Sequence, residues 1–347
     1  MNFDIQDATL FLTAHGSHSY GMATPSSDLD IDGICVAPLE YQIGFLNQFE
    51  QHQFKAFPFT LGDGTADSIP RYPRNTGPLL IKGQACEGTI YDIRKYFKLA
   101  ADCNPNVIEL LFTDDADMLY STRLGDELRA LGPLFLSTRA KHTFSGYAIS
   151  QLKRINTHRQ WLLHPPDHKP TREEFGLDPN KALMNSTDRG AIDALIEKHG
   201  EDYLRSQMPE SVVEVYFRGQ RYRNACKHWE QFENWKATRN EARAILEAAH
   251  GYDTKHAAHL VRLMRMCREI LVEGVVRVRR PDAEELLEIR RGAWAYEQLI
   301  EFAEREDAEL EAIYRAGTSP LPKQPDRAAL DRHCRSIIME KLYLSQY

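Results

Sequence analysis

The amino-acid sequence predicts an α/β (α+β) protein, in which a small sheet domain with helices is followed by a mainly α-helical domain. Two observations lead to this fold class. Residues 8–36 place apolar segments on both sides of a glycine-containing turn, a pattern typical of strands. From about residue 115 onward, apolar residues recur at helical spacing instead. We therefore expect a sheet domain over residues 1–113 and a helical domain over residues 114–347.

The acidic segment after the turn has the periodicity of a strand. Residues 28–32 read Asp-Leu-Asp-Ile-Asp, so the three acids share one parity and the two apolar residues share the other. Alternate side chains of an extended strand face opposite sides. The sequence therefore predicts a strand with a carboxylate face and an apolar face, which the chain enters through the turn Gly16–Gly21.

Carboxylates on one strand face suit phosphate chemistry that depends on divalent cations. Mg²⁺ prefers carboxylate oxygens, waters and substrate phosphates, and two such ions can hold the attacking and leaving oxygens of a phosphoryl displacement. Gly16 would let the backbone come close to a phosphate, and Ser17 with its neighbouring N–H groups would donate to the phosphate oxygens.

Three other interpretations of the same residues remain open at this point. Ser26, Ser27 and Asp28 could cap a helix. Residues 28–33 also match the first half of a calcium loop, but the twelfth position of that loop, which should be acidic, is Leu39. Finally, the acids could form a solvated face.

The spacing of these residues resembles the signature of the DNA polymerase β nucleotidyltransferase superfamily. That signature is Gly-Ser, a short spacer and Asp-apolar-Asp, here Gly16-Ser17 and Asp28-Leu29-Asp30. Small bacterial members often carry Arg-Gly where this chain has Tyr20-Gly21, which leaves the role of Tyr20 open. Later stretches resemble the YcgL-type branch of predicted nucleotidyltransferases, which includes RNA-ligase-associated proteins. These stretches are Cys103–Phe112, Ser145–Ala148, Tyr252–Leu263 and Arg280–Asp282.

The resemblance covers nearly the whole chain and implies a fold and an activity. It implies a small polymerase-β-like nucleotidyltransferase sheet that is catalytic, and a helical domain that completes the NTP and acceptor site. The reaction would move an NMP from an NTP to an acceptor hydroxyl with loss of pyrophosphate, and it would use two Mg²⁺ ions, with Mn²⁺ as an alternative.

The resemblance also assigns roles to residues of the sheet domain. Asp28 and Asp30 would bind both metal ions, and a third carboxylate on a neighbouring strand would complete one ion. Glu87 occupies the family position shortly before Tyr91. Asp92 is the alternative, although it looks more like the N-cap of the next helix. The residues expected to bind the nucleotide here are Gly16, Ser17 and Ser27, and the role of Asp32 stays open.

A helix predicted over Asp253–Glu273 would supply positive charge to the nucleotide. Lys255, His259 and Arg262 follow one another at i, i+4 and i+7, away from an apolar stripe. A basic face with a histidine can hold a triphosphate. The resemblance supports this role, because Asp-x-Lys-His-x-x-His-x-x-Arg is a hallmark of the branch. The alternative is a solvated basic face.

The acceptor is predicted from the relatives and from one basic stretch. Within a helical segment, cations alternate with aromatic residues, an arrangement that could hold single-stranded RNA by charge and stacking. These cations are Arg218, Arg221, Arg223 and Lys227. We expect an RNA (tRNA) end as acceptor and ATP as the favoured NTP. The alternatives are pairing of these cations with nearby glutamates, a protein acceptor as in AMP-transferring antitoxins of the superfamily, and a catalytically silent NTP-binding interaction module.

Composition sets the remaining expectations. The net charge of −7 gives no global attraction to nucleic acid, so RNA contacts must be local. Six scattered cysteines without a CxxC pair are typical of a reduced cytoplasmic protein. We find no signal-peptide pattern and no apolar run that could span a membrane. Residues 60–78, rich in Gly, Pro and Asp, predict a long loop.

Overall fold

The computed structural model describes residues 2–25, 27–59, 83 and 85–344. The loop predicted over residues 60–78 and the apolar run Leu79–Ile81 lie outside the described residues. The chain forms two compact units. The first comprises Met1–Ile155 and Asp253–Tyr347, and the second comprises Asn156–Tyr252. These units group the residues differently from the expected domains 1–113 and 114–347, whose functional division stays a prediction.

Within the described residues of the first unit, five strands form one mixed sheet. They are β1 (Thr9–His15), β2 (Asp30–Cys35), β3 (Gln51–Ala56), β4 (Ala85–Asp92) and β5 (Met118–Ser121), in the order β3-β4-β2-β1-β5. Strands β2 and β4 are parallel, whereas the other neighbouring pairs are antiparallel. The mixed sheet with helices and the mostly helical remainder confirm the predicted fold class.

Helices make up most of the rest of the described chain. They are α1 (Ile5–Ala8), α2 (Leu39–Gln42), α3 (Ile93–Ala101), α4 (Pro105–Ile108), α5 (Arg123–Ala130), α6 (Gly146–Leu163), α7 (Ser186–His199), α8 (Glu201–Gln207), α9 (Glu210–Thr238), α10 (Glu241–His250), α11 (Thr254–Glu273), α12 (Ala283–Arg290), α13 (Tyr296–Ala316) and α14 (Arg327–Leu344). Short 3₁₀ turns occupy Glu109–Phe112, Asp115–Asp117, Gly132–Phe135 and Glu173–Phe175, and a π-helical turn precedes α6 at Lys141–Ser145.

The alternation predicted for the acidic strand holds in β2. Ile31 is fully buried and packs in a core cluster with Leu12 and Ile90, while the side chains of Asp30 and Asp32 are only partly buried. The strand begins at Asp30, two residues later than predicted, because the β1–β2 ladder ends where His15 meets Asp30 and the chain turns away at Gly16. Strands β3 and β5 were not predicted from the sequence.

Two predicted helix starts are confirmed by their caps. Asp92 ends β4 and accepts a hydrogen bond from the Arg94 N–H at 3.1 Å, so it caps α3. Asp253 caps α11 in the same way, through the His256 N–H at 3.1 Å. Such caps satisfy backbone donors that the first helical turn leaves unpaired. Further along the chain, α12 ends at Arg290 and α13 begins at Tyr296.

The second unit is helical and has a small core of its own. Ile192, Leu204, Val213 and Tyr216 bring α7, α8 and α9 together, and all four are buried. In the described part of the chain, no helix combines the length and the apolar character that a membrane crossing requires.

Candidate active site

Asp30 and Glu87 lie side by side on the two parallel strands of the sheet. Asp30 of β2 is in register with Glu87 of β4, and Asp32 is in register with Thr89. Register partners on adjacent strands project their side chains to the same face, so the two carboxylates stand on one face. Glu87 is exposed, whereas the alternative acid Asp92 is buried and engaged as a helix cap.

The glycine turn lies directly against the carboxylate of Asp30. Gly16 has a φ of +64°, which L side chains rarely adopt. A Cβ at this position would lie 2.6 Å from Oδ2 of Asp30. The backbone conformation therefore favours glycine here, and an added Cβ would displace the carboxylate of Asp30. The N–H of Met22 closes the turn by donating to the Ser17 carbonyl at 2.8 Å.

A cavity of about 330 Å³ opens beside this turn in the first unit. It is lined by His15, Gly16, Ser17, Tyr20, Met22, Ser27, Asp28, Asp30, Asn106, Lys255, Ala258, His259, Arg262 and Arg290. The glycine turn, the first two acids and the basic face of α11 thus surround one space, which we call the first cavity. All the residues expected to bind the nucleotide line it.

A second cavity of about 450 Å³ lies on the side of Asp30 that faces β4. Its lining consists of His15, Asp30, Asp32, Gln53, Phe54, Lys55, Glu87, Gly88 and Thr89. His15 and Asp30 belong to both cavities. Asp30 therefore separates a cavity that contains the glycine turn from one that contains Glu87.

The charges around Asp30 favour a bound cation. Burial raises the pKa of Asp30 above its ordinary value, and the negative charges of Asp28 and Glu87 raise it further, while His15 opposes the shift. Burial likewise raises the pKa of Asp32, which accepts a hydrogen bond from the Thr89 N–H at 2.8 Å. A cation beside Asp30 would relieve the repulsion between like charges.

The carboxylates fit hard divalent cations by their chemistry. Asp28, Asp30 and Glu87 offer oxygen ligands, which Mg²⁺ and Mn²⁺ prefer. Among the described residues, the carboxylate oxygens of these three acids do not all lie within 4.8 Å of one another. Asp28 and Glu87 are both exposed, so neighbouring side chains do not enclose their carboxylates.

The basic face of α11 presents three residues in different environments. Lys255 is exposed at the first cavity, and His259 is partly buried with its ring 5.6 Å from that of Tyr147. Burial, together with the positive charges of Arg262 and other neighbours, lowers the pKa of His259 to about 3. His259 is therefore neutral at pH 7, and Lys255 is the exposed cation of this face.

Arg262 is buried and bonded to an acid that lies far away in the sequence. It is 1% exposed, and its Nη1 donates to Oε1 of Glu109 at 2.7 Å. Burial by itself would lower the pKa of Arg262, but the Glu109 carboxylate outweighs that effect and leaves the pKa raised. The guanidinium also lies 3.7 Å above the ring centre of Tyr20. Arg262 is thus a fixed positive charge in the wall of the first cavity.

Tyr20, which is partly buried, bonds to the same acid. Its hydroxyl donates to Oε2 of Glu109 at 2.7 Å, so Glu109 bonds Tyr20 and Arg262 with different oxygens. Burial raises the pKa of Tyr20 well above its ordinary value, which keeps the hydroxyl protonated and able to donate. Sequence reasoning left Tyr20 and Glu109 without a role. The only signal was an isolated acid within an apolar run, which points to a buried partner without naming it.

The basic stretch of the second unit lies on α9, and its cations differ in exposure. Arg221 and Lys227 are exposed. Arg218 pairs with Glu214 at 3.3 Å and also donates to the Gly176 carbonyl. Both Nη atoms of Arg223 are buried without a hydrogen-bond partner, and burial together with Arg189 lowers its pKa. Within the residues that the structure describes, Arg221 and Lys227 are therefore the cations of this stretch without an ion pair that are exposed to solvent, whereas Arg218 is paired and Arg223 is partly buried.

A mixed sheet with acids on parallel strands beside a Gly-Ser turn is the arrangement expected of a polymerase-β-like nucleotidyltransferase. Residues 4–164 match the model of a family described as the RNA repair pathway DNA polymerase beta family. The match confirms the resemblance to polymerase-β-like nucleotidyltransferases in the RNA repair branch over those residues.

The chain also resembles part of a phage protein. A 38.9 kDa protein from the nrdC-mobD intergenic region of Enterobacteria phage T4 is 29% identical over 105 residues, which are 30% of this chain and 26% of the relative. The chain therefore spans about a quarter of that relative's length. No solved structure matches the chain.

Proposed function

We propose that this protein is a Mg²⁺-dependent nucleotidyltransferase that moves an NMP from an NTP, with ATP favoured, to a hydroxyl at an RNA (tRNA) end. The observation that carries the proposal is the register of Asp30 with Glu87, with the Gly16 turn packed against Asp30. The family match over residues 4–164 adds the connection to RNA repair.

The first cavity is the proposed NTP site. Gly16 and Ser17 would bind the β- and γ-phosphates through backbone N–H groups and the serine hydroxyl. Ser27, which also lines this cavity, would offer its hydroxyl to the nucleotide. Lys255 would contact the phosphates directly. His259, neutral at pH 7, would offer a hydrogen bond, and Arg262 would add positive charge from the cavity wall.

Asp28, Asp30 and Glu87 would hold the two Mg²⁺ ions. Bound there, the ions would stabilise negative charge on the attacking and leaving oxygens. Asp28 lines the first cavity and Glu87 the second, while Asp30 lines both. This division suits Asp30 as the ligand common to both ions and Glu87 as the ligand on the acceptor side.

The two cavities suggest the direction from which the acceptor arrives. In an in-line displacement, the nucleophile and the leaving group lie on opposite sides of the phosphorus. With pyrophosphate leaving along the glycine turn, the acceptor hydroxyl would approach from the second cavity, past Glu87. The hydroxyl would release its proton to solvent, its oxygen would bond to the α-phosphorus, and the bond from that phosphorus to the β-phosphate oxygen would break, so that pyrophosphate leaves.

The test uses each of the four α-labelled NTPs with the full chain, Mg²⁺ and either total cellular RNA or RNase-treated lysate. We expect label to enter RNA with release of pyrophosphate, and EDTA to abolish both. Label that enters protein instead would support a protein AMP-transferase. Tight binding of Mg²⁺·NTP without pyrophosphate release, whichever acceptor is offered, would contradict the proposal and favour an NTP-binding interaction module.

A further inference from the structure

Tyr20 ties the glycine turn of the first cavity to three other segments of the first unit. Its hydroxyl donates to Glu109, and its ring lies under the guanidinium of Arg262 on α11. Its backbone carbonyl accepts a hydrogen bond from the Arg280 N–H at 3.1 Å. Three parts of one residue thus contact three different segments.

Each of these contacts ends on a group that is itself held in place. Glu109 is fully buried and bonded to Arg262. Arg280 is 5% exposed, and its two Nη atoms donate to the two carboxylate oxygens of Glu269, both at 2.8 Å. Glu269 and Arg262 both lie on α11. The contacts therefore fix the turn relative to the helix that carries Lys255.

We propose that Tyr20 is a positioning residue, which holds the phosphate-binding turn at a fixed distance from the basic face of α11. The proposal rests on the proposed function of the first cavity as an NTP site. Tyr20 itself need not touch the phosphates. It acts through Gly16 and Ser17, because the Tyr20 N–H donates to the Gly16 carbonyl at 3.1 Å within the same turn.

The buried pair of Glu109 and Arg262 gives Tyr20 a rigid partner. A buried ion pair is costly to break, since removing one partner leaves an uncompensated charge. A hydrogen bond to such a carboxylate is stronger than one between neutral groups. Substitution of Glu109 or Arg262 could therefore unfold the chain, whereas Tyr20→Phe removes a single hydroxyl and leaves the ion pair and the stacked ring in place.

Tyr96→Phe is the matched control for this substitution. The Tyr96 ring is fully buried, and its hydroxyl donates to the Val107 carbonyl at 3.1 Å, away from both cavities. Each variant loses one tyrosine hydroxyl and one hydrogen bond. Because Tyr20 bonds a carboxylate and Tyr96 a neutral carbonyl, the free energy of unfolding of both variants is measured as well. Only an effect on the glycine turn or on NTP binding that exceeds this loss of stability supports the positioning role.

Two measurements test the proposal. Hydrogen exchange followed by mass spectrometry reports on the turn without reference to activity, and we expect faster exchange over residues 16–22 in Tyr20→Phe but not in Tyr96→Phe. In the transfer assay, loss of a hydrogen bond to a charged group predicts a rise of about fivefold or more in the KM for NTP in Tyr20→Phe alone. The change in kcat should be smaller than the change in KM.

The outcomes separate this proposal from the proposed function. Unchanged exchange of the turn in Tyr20→Phe, or a KM equal to that of Tyr96→Phe, overturns the positioning role even if transfer is normal. If the wild type binds Mg²⁺·ATP without transferring label, the dissociation constant replaces KM, and the transferase assignment fails alone. A wild type that binds none of the four NTPs overturns both.

Discussion

Asp30 is the register partner of Glu87 across the parallel strands β2 and β4. This relationship brings acids from two separate segments of the chain to one face of the sheet. It also places Asp30 between two cavities, only one of which contains the glycine turn. The proposed chemistry depends on this position, because a ligand shared by two ions must face both the leaving group and the acceptor.

Gly16→Ala should impair nucleotide binding by displacing Asp30. The new Cβ would lie 2.6 Å from Oδ2 of Asp30, and the backbone φ of +64° adds strain. We expect a loss of about 1–2 kcal/mol in the free energy of unfolding from the strain alone, together with a large rise in the dissociation constant of Mg²⁺·ATP. Chemical denaturation and calorimetric titration measure the two effects.

Gly317→Ala is the matched control for this prediction. Gly317 has the same φ of +64°, but a Cβ there meets no atom within 4 Å. It should lose a similar amount of stability and bind nucleotide like the wild type. Equal nucleotide binding in the two variants would show that contact between the turn and Asp30 does not matter for the site.

His259 should remain neutral through the physiological range. Its pKa of about 3 lies well below the ordinary histidine value of about 6.5. The unfolded chain therefore binds a proton that the folded chain does not. Stability is fully present above pH 6.5 and falls with decreasing pH towards 3, by up to about 1.4 kcal/mol per pH unit from this group.

Proton NMR of the His259 ring, assigned by comparison with His259→Gln, checks this directly. We expect no titration between pH 8 and 5 in the free protein, and a rise in the pKa when a triphosphate binds nearby. A midpoint near 6.5 in the free protein would mean that the ring is solvated and that α11 lacks the described packing.

The exposed cations of α9 should contribute to RNA binding only through charge. Arg221→Ala and Lys227→Ala should each weaken binding to single-stranded RNA and lower the slope of log K against log salt by about 0.7. Arg205→Ala, which removes a cation already paired with Glu201 and Glu210, is the control. If all three variants bind RNA like the wild type, the acceptor is held elsewhere.

Local periodicity was enough to predict one part of the site. The alternation of residues 28–32 correctly placed Asp30 and Asp32 on the face opposite the buried Ile31. The cap pattern also predicted that Asp92 caps the next helix, which left Glu87 as the candidate for the third carboxylate of the site. The exact start of β2 depends on where the partner strand β1 ends, and residues 28–32 carry no information about that position.

Long-range pairing explains what the sequence could not predict. Tyr20 bonds to a glutamate 89 residues away, and that glutamate bonds to an arginine 153 residues further on. No local pattern specifies such partners. The basic spacing of α11 predicted a shared face for Lys255 and Arg262, yet one is exposed and the other buried, because the packing of Glu109 and Tyr20 covers the arginine.

The central claim is most directly tested by comparing Asp30→Asn with Asp32→Asn in the transfer assay. Asn at position 32 still offers an oxygen to the Thr89 N–H, so this variant keeps the strand contact and serves as the control on the same strand. Asp30→Asn removes the negative charge that both ions would contact. Because the Asp30 carboxylate is partly buried near the like charges of Asp28 and Glu87, we expect the melting temperature of this variant not to fall.

We expect Asp30→Asn to lose label transfer to the background level with its fold intact, while Asp32→Asn loses no more than about 100-fold, as is usual for groups that act outside the metal ligands. Transfer at the wild-type rate by a folded Asp30→Asn protein would contradict the account.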